Sequence, residues 1–560
     1  MHNHHRLFGG LAALLLLALA ACQTAATPTV TPESSPIPSE ITAVTSTPTA
    51  GGTNWWDEAV FYEIFVRSFK DSDGDGIGDF QGIIQQLDYL NDGDPNTTDD
   101  LGINAIWLMP IFPSPSYHGY DVTNYEDVNP DYGTLEDFQQ LLEECHARGI
   151  RVIIDFVINH TSDQHPWFKA ALDPNSPYHD YYIWSETKPA GLGPLGQESW
   201  FKAPNGKYYY AVFWSGMPDL NYNNPKVTEE IYAATQFWLE EGVDGFRVDA
   251  ARYLFEEGEV LQDTNSTLKW FQDWRTFYKQ INPQAFTVGE VWTDTQNIAR
   301  YGTPDGLDSL FIFDLAEAFL NGLLTGNAAV PLKSYKDAIA YFPDYSFSTF
   351  LSNHDQTRVM TALNEQEIKA KAGAFMYLTG PGIPFIYYGE EIGMTGNKPD
   401  EMLRTPMQWS AEANAGFTSG TPWEPINQGW EQVNVAVEAA QPDSLLNWYK
   451  ELIRLREANP TLRMGSFEPL NSNCKEVYAV LRQYEGETLL TVANLSLRPV
   501  QNCSLSLRTS SLSGSFQAEA LWGELLFEQI SFGADGSLDK FIVAPELGGG
   551  ETAILRLVRP

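Results

Sequence analysis

Positive charge is scarce in this 560-residue sequence. Only 34 lysines and arginines stand against 73 aspartates and glutamates, which gives a formal net charge of −39. A surface this acidic repels phosphate backbones, so we expect no nucleic-acid partner. The charge fits a neutral or cationic substrate, or a metal, and identifies none of them. Hydrophobic residues at 43% and aromatic residues at 13% are globular values and exclude wholesale disorder.

Cysteine is also rare, with 4 in the whole chain. None of them has the spacing of a metal-binding group. Cys474 and Cys503 lie in one short C-terminal stretch and could pair in an oxidising compartment. Cys145 falls on the apolar side of a predicted helix, where we expect a buried thiol.

The N-terminal apolar run, Leu7–Ala21, is too short for an ordinary membrane-spanning helix. It follows a start that contains His and Arg, so residues 1–22 are predicted to be a signal peptide. The run ends in Leu-Ala-Ala-Cys, which resembles a bacterial lipobox and implies a lipidated Cys22; the alternative is a plain signal peptide with an incidental cysteine. Residues 23–53 are rich in Thr, Pro and Ser and predict an extended tether. We expect an extracytoplasmic protein, on the cell surface or in the periplasm, that meets the membrane only through Cys22.

From Trp55 onwards, short β-rich runs alternate with helical patterns. Several runs are almost continuously apolar, as expected of strands covered on both faces. Eight such strands in βα order predict an α/β fold, a (β/α)8 TIM barrel whose site lies at the C-terminal ends of the strands. The predicted strands are Val60–Phe69, Ile103–Met109, Arg151–His160, Val243–Ala250, Phe286–Trp292, Leu310–Leu315, Phe347–Asp355 and Pro384–Glu390. Before the third of them, Thr134 and Asp137 predict the start of a helix that Gly149 ends.

Two regions interrupt or follow the barrel pattern. The segment 161–222 is too long for an ordinary loop and predicts an inserted domain B after strand three. The helical alternation stops at about Pro460, and the residues beyond predict an antiparallel β-sandwich, domain C, over 460–560. The barrel, domain A, then comprises 54–160 and 223–459.

Acidic residues stand at the ends of four predicted strands, namely Asp155, Asp249, Glu290 and Asp355. Those ends converge in a barrel, so these carboxylates can meet. Hydrolysis of an acetal needs one protonated carboxyl group and one ionised one, and crowding raises the pKa of at least one of them. For a single Asp, capping of the following helix would be the better explanation. Four acidic residues at strand ends favour a catalytic site instead.

The segments around these acids resemble the signature regions of the α-amylase family, glycoside hydrolase family 13. In chain order they are DFVINH (155–160), GFRVDAAR (245–252), GEVW (289–292) and FLSNHDQTR (350–358). The resemblance covers about residues 54–560, and the four segments fall on predicted strands three, four, five and seven. Four motifs in register are far more specific than any one of them.

The resemblance implies a retaining mechanism and a role for each residue of the site. Asp249 would be the nucleophile and Glu290 the general acid/base, while Asp355 would bind sugar hydroxyls and keep Glu290 protonated. Arg247 would orient Asp249 and hold it ionised. The remaining implied substrate contacts are His160 and His354, which would bind hydroxyls, and Tyr120, which would stack on the sugar, with Asp155 and Asn159 supporting the pocket.

Two further motifs bear on the kind of glucan enzyme. MPDLN (217–221) resembles the fifth signature region of the intermediate α-amylase subfamily, which includes lipid-anchored enzymes. Asp121 and Arg404 of RTPMQW (404–409) resemble residues that grip the terminal glucose in exo-acting α-glucosidases. The same residues occur in the intermediate group, so an intermediate α-amylase and an exo-acting α-glucosidase both remain possible interpretations.

The acidic loop DSDGDGIGD predicts a structural calcium site. It begins like an EF-hand, but position twelve is Gly82 instead of Glu, and the preceding segment is predicted to be the apolar first strand rather than an entering helix. A tighter set of five hard oxygen donors suits Ca²⁺ and resembles the loop of oligo-1,6-glucosidase-type and intermediate amylases. The predicted ligands are Asp71, Asp73, Asp75, the Ile77 carbonyl and Asp79; the alternative is a solvated loop without metal. Arg252-Tyr253, where many α-amylases have Lys-His, leaves a second calcium unassigned.

Three functions remain open from the sequence. The first is a monomeric, endo-acting hydrolase of α-1,4 bonds in starch and maltooligosaccharides. The second is an exo-acting α-glucosidase, oligo-1,6-glucosidase or trehalose synthase-like transglycosylase. The third is a barrel that binds carbohydrate without catalysis, which the intact set of Asp249, Glu290 and Asp355 disfavours.

Overall fold

Eight short parallel strands form a barrel in the computed structural model, which describes residues 54–560 apart from Thr303 and Leu526. Three further strands, β4–β6, form a small sheet inserted between β3 and β7. The first eleven strands are β1 (Phe61–Ile64), β2 (Ala105–Leu108), β3 (Arg151–Phe156), β4 (Trp184–Ser185), β5 (Trp200–Lys202), β6 (Tyr208–Tyr210), β7 (Gly245–Val248), β8 (Phe286–Gly289), β9 (Ser309–Leu310), β10 (Ser348–Thr349) and β11 (Ile383–Tyr387). The predicted signal peptide, tether and Cys22 lie outside the described residues.

The barrel strands are hydrogen-bonded in the order β10-β11-β1-β2-β3-β7-β8-β9. A parallel bridge between Phe311 and Ser348 joins the two ends of this sheet. The hydroxyls of Ser309 and Ser348 also lie 2.8 Å apart. The predicted TIM barrel with its insert and its C-terminal β domain is confirmed.

Helices cover the outside of the barrel and follow most of its strands. They are α1 (Val66–Phe69), α2 (Phe80–Gln85), α3 (Leu87–Leu90), α4 (Leu135–Ala147), α5 (Pro166–Ala171), α6 (Pro225–Glu241), α7 (Asn265–Ile281), α8 (Thr295–Ile298), α9 (Phe313–Thr325), α10 (Ala329–Tyr341), α11 (Val359–Ala362), α12 (Glu367–Leu378), α13 (Asp400–Leu403), α14 (Val435–Ala439), α15 (Leu445–Ala458) and α16 (Pro460–Met464). Short 3-10 turns lie at Trp55–Glu58, His179–Tyr181, Ala251–Tyr253, Ala299–Tyr301 and Ala413–Gly416. Among the described helices, none is long and apolar enough to cross a membrane.

The predicted strands were right in number and order but too long. The run Val60–Phe69 contains β1 and then helix α1, and the run Leu310–Leu315 reaches into α9. A buried apolar run does not distinguish a strand from the start of a buried helix, which is why the ends were wrong. The predicted α4 is confirmed: the Thr134 side chain accepts a hydrogen bond from the Asp137 backbone N–H, and the helix stops before Gly149.

The barrel interior is filled with aromatic rings at its lower end. Phe61 and Phe385 stack with centroids 4.3 Å apart, and Phe286 lies 5.3 Å from Phe61. Trp56, from the N-terminal turn, packs 5.3 Å from Phe286 and closes this end of the barrel. The polar inward positions are therefore found at the opposite end, where the strands finish.

The C-terminal region consists of antiparallel sheets around a second hydrophobic core. Its strands are β12 (Glu468–Pro469), β13 (Asn471–Ser472), β14 (Val477–Tyr484), β15 (Glu487–Asn494), β16 (Val500–Gln501), β17 (Ser504–Leu507), β18 (Gly514–Trp522), β19 (Ile530–Phe532), β20 (Leu538–Ile542), β21 (Glu546–Leu547) and β22 (Thr552–Val558). Cys474 and Cys503 form a disulfide, and Cys145 is a buried free thiol. The helical part of the chain continues through α16 to Met464, beyond the predicted end near Pro460, and the first C-terminal strand, β12, begins at Glu468. The domain boundaries themselves stay predictions.

Candidate active site

A cavity of about 730 Å³ opens at the C-terminal ends of the barrel strands. Arg247 and His354 are buried and contact residues of its wall. Asp121 is buried and does not line the cavity. The predicted catalytic and substrate-binding residues that do line it are Tyr120, His160, Asp249, Glu290, Asp355 and Arg404.

The alternation of side chains along β7 explains how two of these groups meet. Successive residues of a strand point to opposite faces, so Arg247 and Asp249 both face the barrel axis. Gly245 begins the strand with a φ of 154°, and a Cβ there would lie 1.9 Å from the Phe286 carbonyl oxygen. Glycine therefore lets β7 approach β8, the strand that carries Glu290 at its end.

Arg247 is the common partner of three carboxylates. Its Nη1 donates to Asp155 Oδ1 and to Asp249 Oδ1, both at 2.8 Å, and its Nη2 donates to Glu290 Oε2 at 2.8 Å. The guanidinium is buried between them, so these charged hydrogen bonds fix the positions of Asp249 and Glu290 relative to each other.

The nucleophile candidate and the acid candidate differ in pKa. Burial raises the pKa of Asp249 to about 6, against the opposing effect of the Arg247 guanidinium. Burial raises the pKa of Glu290 to about 7; Arg247 opposes this rise, and the carboxylates of Asp249 and Asp355 add to it. Between these two values Asp249 is mainly ionised while Glu290 is mainly protonated, which is the pairing that acetal hydrolysis needs.

A chain of charged groups supports Asp355. Burial favours a raised pKa for this carboxyl group, but the neighbouring His354 and Arg404 hold it well below its usual range. His354 Nε2 lies 3.3 Å from Asp355 Oδ2, and its Nδ1 lies 2.5 Å from Glu63 Oε1. Burial lowers the pKa of His354, but these two carboxylates raise it to about 9, so the ring is an imidazolium at neutral pH.

Two ring side chains shape the floor of the cavity. The Tyr120 hydroxyl lies 2.6 Å from His354 Nε2 and donates to Asp155 Oδ2 at 3.1 Å. His160 Nε2 lies 3.1 Å from the Tyr120 carbonyl oxygen, and burial lowers the pKa of His160 to about 3. His160 is therefore neutral, unlike His354.

Arg404 and Asp121 have different hydrogen-bond partners. Arg404 Nη2 donates to Asp355 Oδ1 at 2.7 Å. Asp121 Oδ1 instead accepts hydrogen bonds from the hydroxyls of Ser114 and Ser116. Among the ion pairs of the described residues, none joins Arg404 to Asp121.

Several residues of the site were not predicted from the sequence. Glu63, buried at the end of β1, was overlooked, although a carboxylate in an apolar strand was a visible signal. Lys398 and Asp400 reach the cavity from the loop after β11, and Trp214 and Trp292 line it with large exposed rings. Trp292 ends the GEVW motif, whereas no motif marked Lys398, Asp400 or Trp214 as part of the cavity.

The loop after β1 brings together three of the five predicted calcium ligands. Carboxylate oxygens of Asp71, Asp73 and Asp79 all lie within 4.8 Å of one another. Asp75 lies outside this group, and its Oδ1 accepts a hydrogen bond from the Ile77 backbone N–H at 2.7 Å. Three converging hard oxygens fit Ca²⁺.

The same loop is fastened to the segment that follows RTPMQW. The Asp71 backbone N–H donates to the Phe417 carbonyl at 3.1 Å, and the Trp423 N–H donates to the Gly76 carbonyl at 2.9 Å. Gly76 has a φ of 97°, and a Cβ there would lie 1.9 Å from the Thr421 carbonyl oxygen. The loop thus joins β1 to the segment beside Arg404.

Comparison with known proteins matches this chain to α-amylases and related glucosidases. Residues 63–465 match the family model for the α-amylase catalytic domain. The chain is 42% identical over 447 residues to alpha-amylase 3 of Dictyoglomus thermophilum, covering 79% of this chain and 85% of that protein. It is 33% identical over 518 residues to an oligo-1,6-glucosidase of Parageobacillus thermoglucosidasius, covering 79% and 90%.

Solved structures agree with these relatives. The α-amylase from H. orenii matches with a TM-score of 0.78 at 42% identity, covering 89% of this chain and 99% of that one. The isomaltulose synthase from Klebsiella sp. LX3 matches with a TM-score of 0.78 at 31% identity, covering 90% and 100%. With the family model spanning most of the chain, this protein belongs to the α-amylase family and is a glycoside hydrolase of family 13.

Proposed function

We propose that this enzyme cleaves internal α-1,4 bonds of starch and maltooligosaccharides with retention of configuration. The observation that carries the proposal is that Asp249 and Glu290 each bind one terminal nitrogen, Nη1 and Nη2, of the buried Arg247 guanidinium. That arrangement puts a nucleophile and an acid of different pKa on one cavity. It fits a retaining glycosidase, whose two carboxylates stand close together.

The reaction proceeds in two steps. Glu290 gives its proton to the glycosidic oxygen while an Asp249 oxygen bonds to the anomeric carbon, and the leaving sugar departs as an alcohol. Glu290, now ionised, then takes a proton from water as the water oxygen attacks that carbon and frees Asp249. Asp355, fixed by Arg404 and His354, is placed to hold hydroxyls of the reacting sugar.

The position of Asp121 supports internal cleavage. An exo-acting site needs a group that grips the terminal glucose, whereas Asp121 is buried, accepts hydrogen bonds from Ser114 and Ser116, and does not line the cavity. The 42% identity to an α-amylase points the same way.

An exo-acting α-glucosidase or transglycosylase is the second candidate. It is favoured by relatives of that kind, among them the oligo-1,6-glucosidase at 33% identity and the isomaltulose synthase at 31%. A cyclodextrin separates the two, since it has no chain end. Release of linear maltooligosaccharides from it supports internal cleavage. No cleavage of the cyclodextrin, together with glucose as the only product from linear glucans, would overturn internal cleavage. Proton NMR of the first products should show the α-anomer, and β-anomer release would contradict retention.

We also propose that the loop containing Asp71, Asp73 and Asp79 holds a structural Ca²⁺, with Asp75 and the Ile77 carbonyl as further candidate ligands. A bound cation would neutralise the clustered carboxylates and hold the loop against the segment around Phe417. The ion would lie outside the chemistry of Asp249 and Glu290. Its expected effect is on stability.

Export and lipid anchoring at Cys22 remain part of the proposal, as does a monomeric state. The Leu-Ala-Ala-Cys sequence and the Thr/Pro/Ser-rich segment support anchoring, and the Cys474–Cys503 disulfide suits an oxidising compartment.

Metabolic labelling with palmitate should label the wild type and not Cys22→Ala. Label on both proteins would contradict lipidation at Cys22. Light scattering of the protein lacking residues 1–22 should give the mass of one chain.

A further inference from the structure

Arg252 is a charged residue of the cavity wall that lies three residues after Asp249 in the chain. The residue is buried, and its side chain forms a two-pronged ion pair with Asp263. Its Nε donates to Asp263 Oδ1 at 3.1 Å, and its Nη2 donates to Asp263 Oδ2. A bidentate pair of this kind fixes the plane of the guanidinium, so Arg252 is held in one orientation.

Asp263 is itself held by its neighbours. Its φ is 56°, a left-handed conformation that Asp adopts more readily than most residues. Its backbone N–H donates to the Arg252 carbonyl at 2.9 Å, and its own carbonyl accepts from Arg300 Nη2 at 3.1 Å. The Tyr301 hydroxyl donates to Asp263 Oδ1 at 2.8 Å. These contacts fasten both the backbone and the carboxylate of the residue that orients Arg252.

The remaining nitrogen of the Arg252 guanidinium reaches the segment that carries the acid/base. Its Nη1 donates to the carbonyl oxygen of Trp292, two residues after Glu290, at 2.5 Å. Glu290 follows the last residue of β8, where its N–H donates to the Val248 carbonyl at 3.0 Å and its carbonyl accepts from the Ala251 N–H at 3.2 Å. Arg252 therefore adds an attachment on the C-terminal side of Glu290.

We propose that Arg252 is a positioning residue for the acid/base. Oriented by Asp263, it holds the Trp292 carbonyl and so fixes the backbone from which the Glu290 side chain extends, while Arg247 binds the carboxylate itself. The position of an acid decides how well it protonates the leaving oxygen, and a displacement of about 1 Å can cost roughly 100-fold in rate. This inference rests on the retaining mechanism proposed above.

The test changes the acidity of the leaving group. Phenyl and 4-nitrophenyl α-maltotrioside carry the same sugars, but 4-nitrophenol is the stronger acid, so its anion leaves with little help from a proton. The value of kcat/KM covers the steps up to formation of the glycosyl–Asp249 ester and excludes the later attack of water. The ratio of kcat/KM for the 4-nitrophenyl substrate to that for the phenyl substrate therefore rises when Glu290 protonates the leaving oxygen poorly.

Variants assign this ratio to Arg252. We expect Arg252→Ala to raise it roughly tenfold over the wild type, part of what a general acid contributes. Arg252→Lys keeps the charge but loses the two-pronged pair, so it should also raise the ratio, and Asp263→Asn should raise it by less. Arg454→Ala is the matched control, because Arg454 pairs with Asp100 at 2.9 Å and does not line the catalytic cavity. A loss of folded protein lowers both rates equally and leaves the ratio unchanged.

The outcomes separate a positioning role from the alternatives. A wild-type ratio in both Arg252→Ala and Arg252→Lys overturns this inference. If maltoheptaose cleavage falls in those variants while the ratio stays unchanged, Arg252 contacts sugars of the leaving group instead. A raised ratio in Arg454→Ala as well would show that the effect is not specific to Arg252 and also overturns the inference. A wild type that cleaves neither maltoheptaose nor the aryl maltotriosides overturns the proposed function and this inference with it.

Discussion

At the scale of single residues, burial raises the pKa values of Asp249 and Glu290, and the Arg247 guanidinium that they share opposes this rise. Asp249 must be ionised to attack, and Glu290 must be protonated to release the leaving group. With pKa values of about 6 and about 7, we expect kcat/KM to fall below pH 6 and above pH 7. Initial rates across pH 4–9 measure this, with circular dichroism at each pH as the control for unfolding. A flat profile would contradict the assignment.

Loss of the acid alone should stop turnover without stopping binding. Glu290→Gln keeps the size of the side chain and removes its proton-transfer group, so we expect kcat to fall roughly 10³-fold. The affinity for maltoheptaose, measured by calorimetry, should stay within a few-fold of the wild type. Glu240→Gln, an exposed change on α6, serves as the control. Near-wild-type turnover in Glu290→Gln would refute its role.

Glu63 is the residue that structure adds to the site. Its carboxylate raises the pKa of His354 and so keeps a positive charge beside Asp355. We expect Glu63→Gln to lower kcat/KM roughly tenfold, the effect of losing one charged hydrogen bond, and to lower the pKa of His354 seen by NMR. Exposed Glu136→Gln is the control. An unchanged His354 titration in Glu63→Gln would show that Glu63 does not act through the histidine.

The sequence predicted the strand-end acids because each stands in a motif whose position on a strand is readable. Glu63 stands in no motif, and its importance depends on His354, which lies 291 residues away. The hydrogen bonds from Ser114 and Ser116 to Asp121 depend on how one loop folds back on itself. Contacts of that kind follow from tertiary packing, and no local pattern in the chain encodes them.

At the scale of elements, the loop after β1 is expected to stabilise the barrel through a cation. EDTA should lower the Tm of the wild type, by roughly 1 °C for each kcal/mol of binding lost in a chain of this size. Asp73→Asn should remove this response, while Asp94→Asn, an exposed change in the loop after α3, should keep it. Differential scanning calorimetry with and without Ca²⁺ measures both. A wild-type Tm that is the same with and without the chelator would contradict the calcium site.

Element order was predictable because parallel strands, buried on both faces, leave apolar runs that alternate with helical patterns. Element ends were not, since α1 and α9 begin with apolar residues that continue the preceding strand runs. The Cys474–Cys503 pairing stayed open from the sequence, because proximity in the chain does not fix the distance between the two Cα atoms. The structure places those atoms 5.5 Å apart.

At the scale of the whole molecule, one end of the barrel carries both the catalytic groups and the cavity. The insert contributes Leu195, Phe213, Trp214 and Met217 to the cavity, and the segments after β10 and β11 contribute Asp355, Lys398, Asp400 and Arg404. The family follows from motif order, but the choice between chain ends and internal bonds depends on how loops such as 114–121 pack. Cleavage of internal bonds is therefore the proposal that most needs a test.

The most direct test is a time course on maltoheptaose labelled at its reducing end. Internal cleavage predicts that labelled maltose and maltotriose appear among the first products, before glucose accumulates. An exo-acting enzyme would instead release unlabelled glucose and shorten the labelled chain one unit at a time. We expect the first pattern, and the second would contradict internal cleavage.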